Sequence, residues 1–136
     1  MSAEFPHQLV GTYHDIDYYL AEEDIFLVVP RSGFRDTAES ARQNVEYLND
    51  YIRKAGRKFG AVIILKHVLS QDAETRRTYQ SLTENGLYFG LALVVDSAMS
   101  RAVAGFFMGF SKPAVPTQLF DTAENGIEWL KTIRPN

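Results

Sequence analysis

The sequence predicts one α/β domain over residues 1–136, built on a mixed, mostly parallel β-sheet covered by about four α-helices and begun by an N-terminal antiparallel hairpin. Three observations predict it. Near-continuous apolar runs typical of doubly buried strands occur at Ile25–Val29, Ala61–Val68 and Gly90–Val95. Segments with helical spacing separate those runs. A short polar stretch, Ala21–Asp24, joins the first two strand-like stretches closely enough for an antiparallel pair.

Residues 8–29 read as the hairpin, with Leu9, Val10, Tyr13, Ile16, Tyr18, Tyr19 and Leu20 as strand formers; Pro30 and Gly33 end it. Asp36 and Glu39 have the D-x-x-E spacing that can satisfy free amides at a helix start. Ala38, Ala41, Val45, Leu48, Ile52 and Ala55 then make one apolar stripe, and Gly56 supplies the stop. After the strand at Ala61–Val68, Ser70 or Asp72 is placed to cap a polar helix reaching about Glu84. After Gly90–Val95, Asp96 or Ser97 opens a third helix rich in Met99, Phe106, Phe107, Met108 and Phe110. Two prolines exclude helix from Ser111–Pro116. Thr117–Phe120 reads as a short strand, and Asp121 with Glu124 repeats the D-x-x-E spacing before a last helix carrying Ile127, Leu130 and Ile133.

Composition narrows the chemistry. The chain has no cysteine, which excludes disulfides, thiolate metal sites and a cysteine nucleophile. Its net charge of −3 gives no general attraction to nucleic acid. The basic residues Arg53, Lys54, Arg57 and Lys58 complement the end of the first helix. His7, His14 and His67 are scattered, so no metal site is expected. No phosphate-binding glycine motif and no G-x-S-x-G elbow occurs, so neither a cofactor nor an enzymatic activity is expected. MSAEFPHQLV lacks the basic and apolar regions of a secretory signal, and Leu91–Val95 is too short to span a bilayer. A cytoplasmic protein is therefore expected.

The order of elements, together with the segment ALVVDSAMSRAVAGFFMGFSKPAVPTQLFDTAENGIEWL over residues 91–130, resembles the SpoIIAA-like proteins, the anti-sigma-factor-antagonist or STAS type of domain, in a bacterial branch known mainly as domains without an assigned role. The resemblance implies a regulatory, non-enzymatic domain that binds a protein partner. In that superfamily the best-understood members switch partners by phosphorylation of a serine after the third strand. The equivalent stretch here is His67–Asp72, in which Ser70 is the hydroxyl. The usual Asp-Ser-Ser-Gly motif is absent, and the pair Asp96-Ser97 falls one strand later. Ser70 is thus the candidate phospho-acceptor, with a plain helix cap as the alternative role.

In an open α/β sheet the carboxyl ends of the strands gather the following helix starts on one functional edge. That edge is expected to hold Ser70, Asp72, Arg76, Ser97 and Arg101 as partner-binding residues. A second reading makes Phe106, Phe107 and Phe110 the wall of an apolar ligand or lipid site, as in the SEC14 type of fold, or a homodimer contact. The bland reading of the same aromatics is burial between the sheet and the Lys112–Pro116 loop.

Overall fold

A computed structural model describes residues 7–13, 15–66, 68–71, 74–75, 77–78, 86–95 and 115–135. The chain runs β1 (Gln8–Tyr13), β2 (Ile16–Glu22), β3 (Ile25–Pro30), β4 (Phe34–Asp36), α1 (Ala38–Ala55), β5 (Phe59–Ile64), β6 (Val68–Gln71), β7 (Tyr88–Val94), β8 (Thr117–Phe120) and α2 (Ala123–Ile133). Among the described residues six strands form the main sheet, in the order β1-β2-β3-β5-β7-β8. The β1/β2 and β2/β3 pairs are antiparallel and the other three are parallel. The expected mixed, mostly parallel sheet is therefore present.

Three details differ from the expectation. The N-terminal hairpin is a three-stranded meander, because the chain also reverses at Asp15, whose φ of 64° is a left-handed conformation. Asp tolerates that conformation, and no glycine or proline announces the turn. Two helices, not about four, occur among the described residues. Ser70, expected at a helix start, lies in β6, whose backbone pairs in parallel with β4 in a separate two-stranded sheet. Strand pairing there competes with the capping role and takes its place. Glu74, Thr75, Arg77 and Thr78 have helical backbone, but most of the expected second helix and all of the expected third, 96–110, lie outside the described residues.

Both helices begin one residue later than the D-x-x-E spacing suggests. Thr37 caps α1, with Ser40 N donating to Thr37 Oγ1 at 3.1 Å and Thr37 N donating to Ser40 Oγ at 2.9 Å. Thr122 caps α2 through Asn125 N at 3.2 Å. Gly56 closes α1 at φ 74°, as expected.

Alternation along the strands divides the core into two layers. Ile16, Tyr18, Phe26, Val28, Phe59, Ala61, Leu91 and Leu93 face α1 through Leu48 and Ile52. Ile25, Leu27, Val62, Ile64, Ala92 and Val94 face α2 through Ala123, Ile127 and Leu130. The register of β7 slips beside Phe59/Gly60, so that Tyr88 opposes Phe59 and Gly90 opposes Gly60. This bulge turns Phe89 to the α2 side, where its ring lies over Gly60.

Candidate functional site

The carboxyl ends of β3 and β5 are the best-defined candidate edge. After Pro30 the chain turns through Gly33 at φ 81° and enters β4; after Ile64, Leu65 N donates to Val94 O at 2.9 Å before the chain enters β6. Each strand of the small parallel β4–β6 sheet thus follows, after a short connection, a strand of the parallel β3–β5 pair. Its register sets Phe34 against Val68, Arg35 against Ser70 and Asp36 against Gln71. Phe34 and Asp36 are buried and Arg35 is exposed between them, the period-two pattern of a strand with one wet side. Phe34 anchors the edge in the α1 layer of the core.

Polar side chains tie α1 to β4 and, along its length, to the main sheet. Ser40 Oγ donates to Asp36 Oδ1 at 2.6 Å, which holds a carboxylate at the amino end of α1, where the helix dipole favours it. The Tyr18 hydroxyl donates to Asn44 Oδ1, and the Tyr88 hydroxyl donates to Asn49 Oδ1 at 2.9 Å. Burial pushes the Tyr18 phenol well above its usual range, with Tyr47 and the Asp36 carboxylate adding to the effect. Burial does the same to Tyr88, against a smaller opposing pull from Arg53. Both tyrosines are therefore neutral donors that fix α1 on the sheet.

At the opposite end of the parallel strands, ion pairs close the fold. Arg57 reaches Glu23 at 2.9 Å, and Arg134 reaches Asp24 at 3.1 Å and Glu22 at 3.5 Å. The Glu23 hydrogen bond and charge hold the Arg57 proton more firmly than usual. The Arg134–Asp24 contact is a charge pair rather than an aligned hydrogen bond. Among the described residues no three His, Asp or Glu side chains are placed to hold a metal ion, and no helix is long and apolar enough to cross a membrane.

Of the residues expected on the partner-binding edge, Ser70 has a described backbone, in register with Arg35. Asp72, Arg76, Ser97 and Arg101 lie outside the described residues, as do Phe106, Phe107 and Phe110. The sequence reading missed Arg35, Asn44 and Asn49, and placed Asp36 as a helix cap rather than in β4. A signal for the asparagines exists: Ala41, Asn44, Val45, Leu48, Asn49 and Ile52 share one helical stripe, so two polar residues sit on the buried face.

A family model described as a domain of unknown function, DUF7793, matches residues 18–134. The chain belongs to the DUF7793 family. The match begins at Tyr18, inside β2, so β1 precedes the matched residues. No curated protein matches the chain. Among solved structures it is similar to an uncharacterized protein from the DUF3478 family with a SpoIIAA-like fold, from Shewanella loihica PV-4. The two are 14% identical, with a TM-score of 0.57, over 96% of this chain and 98% of that one. At that identity the likeness shows the fold alone, and the SpoIIAA-like fold expected for this DUF7793 member is the one found.

Proposed function

We propose that this DUF7793 domain is a non-enzymatic regulatory module that binds a protein partner, in the manner of anti-sigma-factor antagonists, through the carboxyl edge of its sheet. The observation that carries the reading is the β4–β6 sheet, which presents exposed Arg35 in register with Ser70. A guanidinium there offers a fork-shaped donor for a partner carboxylate. Phosphorylation of Ser70, whose backbone is in register with that of Arg35, would add about −1.5 to −2 charge and change what the edge attracts. Buried Phe34 and the Asp36–Ser40 bond make the edge a rigid platform, which lowers the entropic cost of docking.

The test is affinity capture from the native cell with wild type and two variants. Arg35→Glu reverses the charge on the edge, and Arg42→Glu does so on the exposed face of α1. The proposal expects a specific protein captured by wild type and by Arg42→Glu and lost with Arg35→Glu. A partner retained by Arg35→Glu, or turnover of a small molecule by the purified domain, contradicts it.

A further inference from the structure

We propose that β1 pairs with β1 of a second copy of this chain, antiparallel across a two-fold axis between Val10 and Gly11, so that the two main sheets run on as one. Among the described residues β1 is the outer strand of the meander. Its sequence QLVGTY has no charge and no proline, two of the devices that protect a sheet edge. The exposed large apolar side chains among the described residues, Leu9 at 54% and Tyr13 at 37%, both belong to this strand.

The register identifies the occupant. Gln8, Gly11 and Tyr13 oppose Leu20, Tyr18 and Ile16, which face α1, and Val10 packs on the same layer. Leu9 and Thr12 oppose Tyr19 and Asp17, on the other side. The bulge at Val10 therefore makes the face pattern read the same in both directions from the midpoint of the strand. An unbulged six-residue strand alternates and lacks this symmetry. Residues directly opposite in an antiparallel pair share a face. With the axis between Val10 and Gly11, Gln8 opposes Tyr13, Leu9 opposes Thr12 and Val10 opposes Gly11, and every pair is matched. At the axis, valine meets glycine, so no two bulky side chains collide. An uncharged strand facing its own copy meets no like charge, and closed two-fold pairs are the commonest symmetric assembly. The contact uses a strand that precedes the family-matched residues, and it is independent of the partner edge at β4–β6.

Sedimentation velocity of the full chain over a wide concentration range tests the pairing. The expected result is a concentration-dependent dimer that Leu9→Lys weakens at least tenfold, with an unchanged thermal melt at concentrations where both proteins are monomeric. Register is read by cross-linking, because the native chain has no cysteine. Leu9→Cys and Thr12→Cys proteins should each stay uncoupled alone and form a disulfide dimer when mixed and oxidised, since directly opposed Cα atoms lie within disulfide reach. A chain that is monomeric throughout, or a dimer that ignores Leu9→Lys and yields no mixed disulfide, overturns the proposal. The mixed cross-link decides the matter even where Leu9→Lys disturbs folding.

Discussion

The two faces of the sheet are held by different physics. On the α1 face the apolar layer is threaded by directed bonds, Tyr18 to Asn44 and Tyr88 to Asn49, and aromatic rings meet edge and face: Phe26 lies 5.1 Å from Tyr51 and 4.9 Å from Phe59. On the α2 face the layer is apolar, and closeness does the work. A Cβ on Gly60 would lie 2.9 Å from the Phe89 ring, one on Gly90 would lie 2.8 Å from Leu130, and one on Gly126 would lie 3.0 Å from Ala92. One face fixes its helix by hydrogen-bond geometry and the other by shape. The difference places the rigid polar framework under the helix whose amino end borders the candidate docking edge.

The contrast predicts which substitutions hurt each face and why. Leu130→Ala, at a fully buried position on the α2 face, should cost about 3 kcal/mol by leaving a cavity. Chemical denaturation measures it. Gly90→Ala should cost about 2 kcal/mol through overpacking against Leu130 and Ile133. Combined with Leu130→Ala it should cost less than the sum, by at least about 0.5 kcal/mol in a double-mutant cycle. On the α1 face, Asn44→Leu strands the buried Tyr18 hydroxyl and should cost about 2 kcal/mol. Adding Tyr18→Phe should recover part of that loss, and a purely additive pair would show that the hydrogen bond contributes nothing.

The alkaline limb of stability separates the faces further. Both buried phenols have folded-state values raised above the ordinary 10.0, so the unfolded chain releases these protons first. Their contribution is complete below about pH 10 and falls as pH rises above it. Tyr18→Phe should flatten that fall, while an α2-face variant should leave its slope alone. The smallest effect belongs to the caps: Thr37→Ala should cost about 1 kcal/mol in thermal or chemical melts.

The apolar rhythm made most of the main sheet readable. Ile25–Val29, Ala61–Ile64 and Gly90–Val95 are buried, Ile63 in part, although the strand expected to reach Val68 ends at Ile64 and Val68 opens β6. The helix stripe ending at Gly56 was equally legible. The reversal at Asp15 was not, because an aspartate can adopt the left-handed turn without a glycine to mark it. Strand β6 was hidden for a different reason. Ser70 and Asp72 carry capping chemistry, and only pairing with β4, more than thirty residues earlier, decides for strand. The same long-range pairing brings Arg35 to Ser70, so half of the candidate edge depended on a contact that no local pattern encodes. Asn44 and Asn49 read as polar by residue type, although their spacing placed them on the buried stripe.

The central claim is that the β4–β6 edge is where a protein partner docks. Backbone amide exchange, measured with and without the captured partner, tests it most directly. Slowed exchange concentrated at Phe34–Asp36 and Val68–Gln71 is the predicted result. Unchanged exchange at those seven positions, with protection appearing elsewhere on the domain, would contradict it.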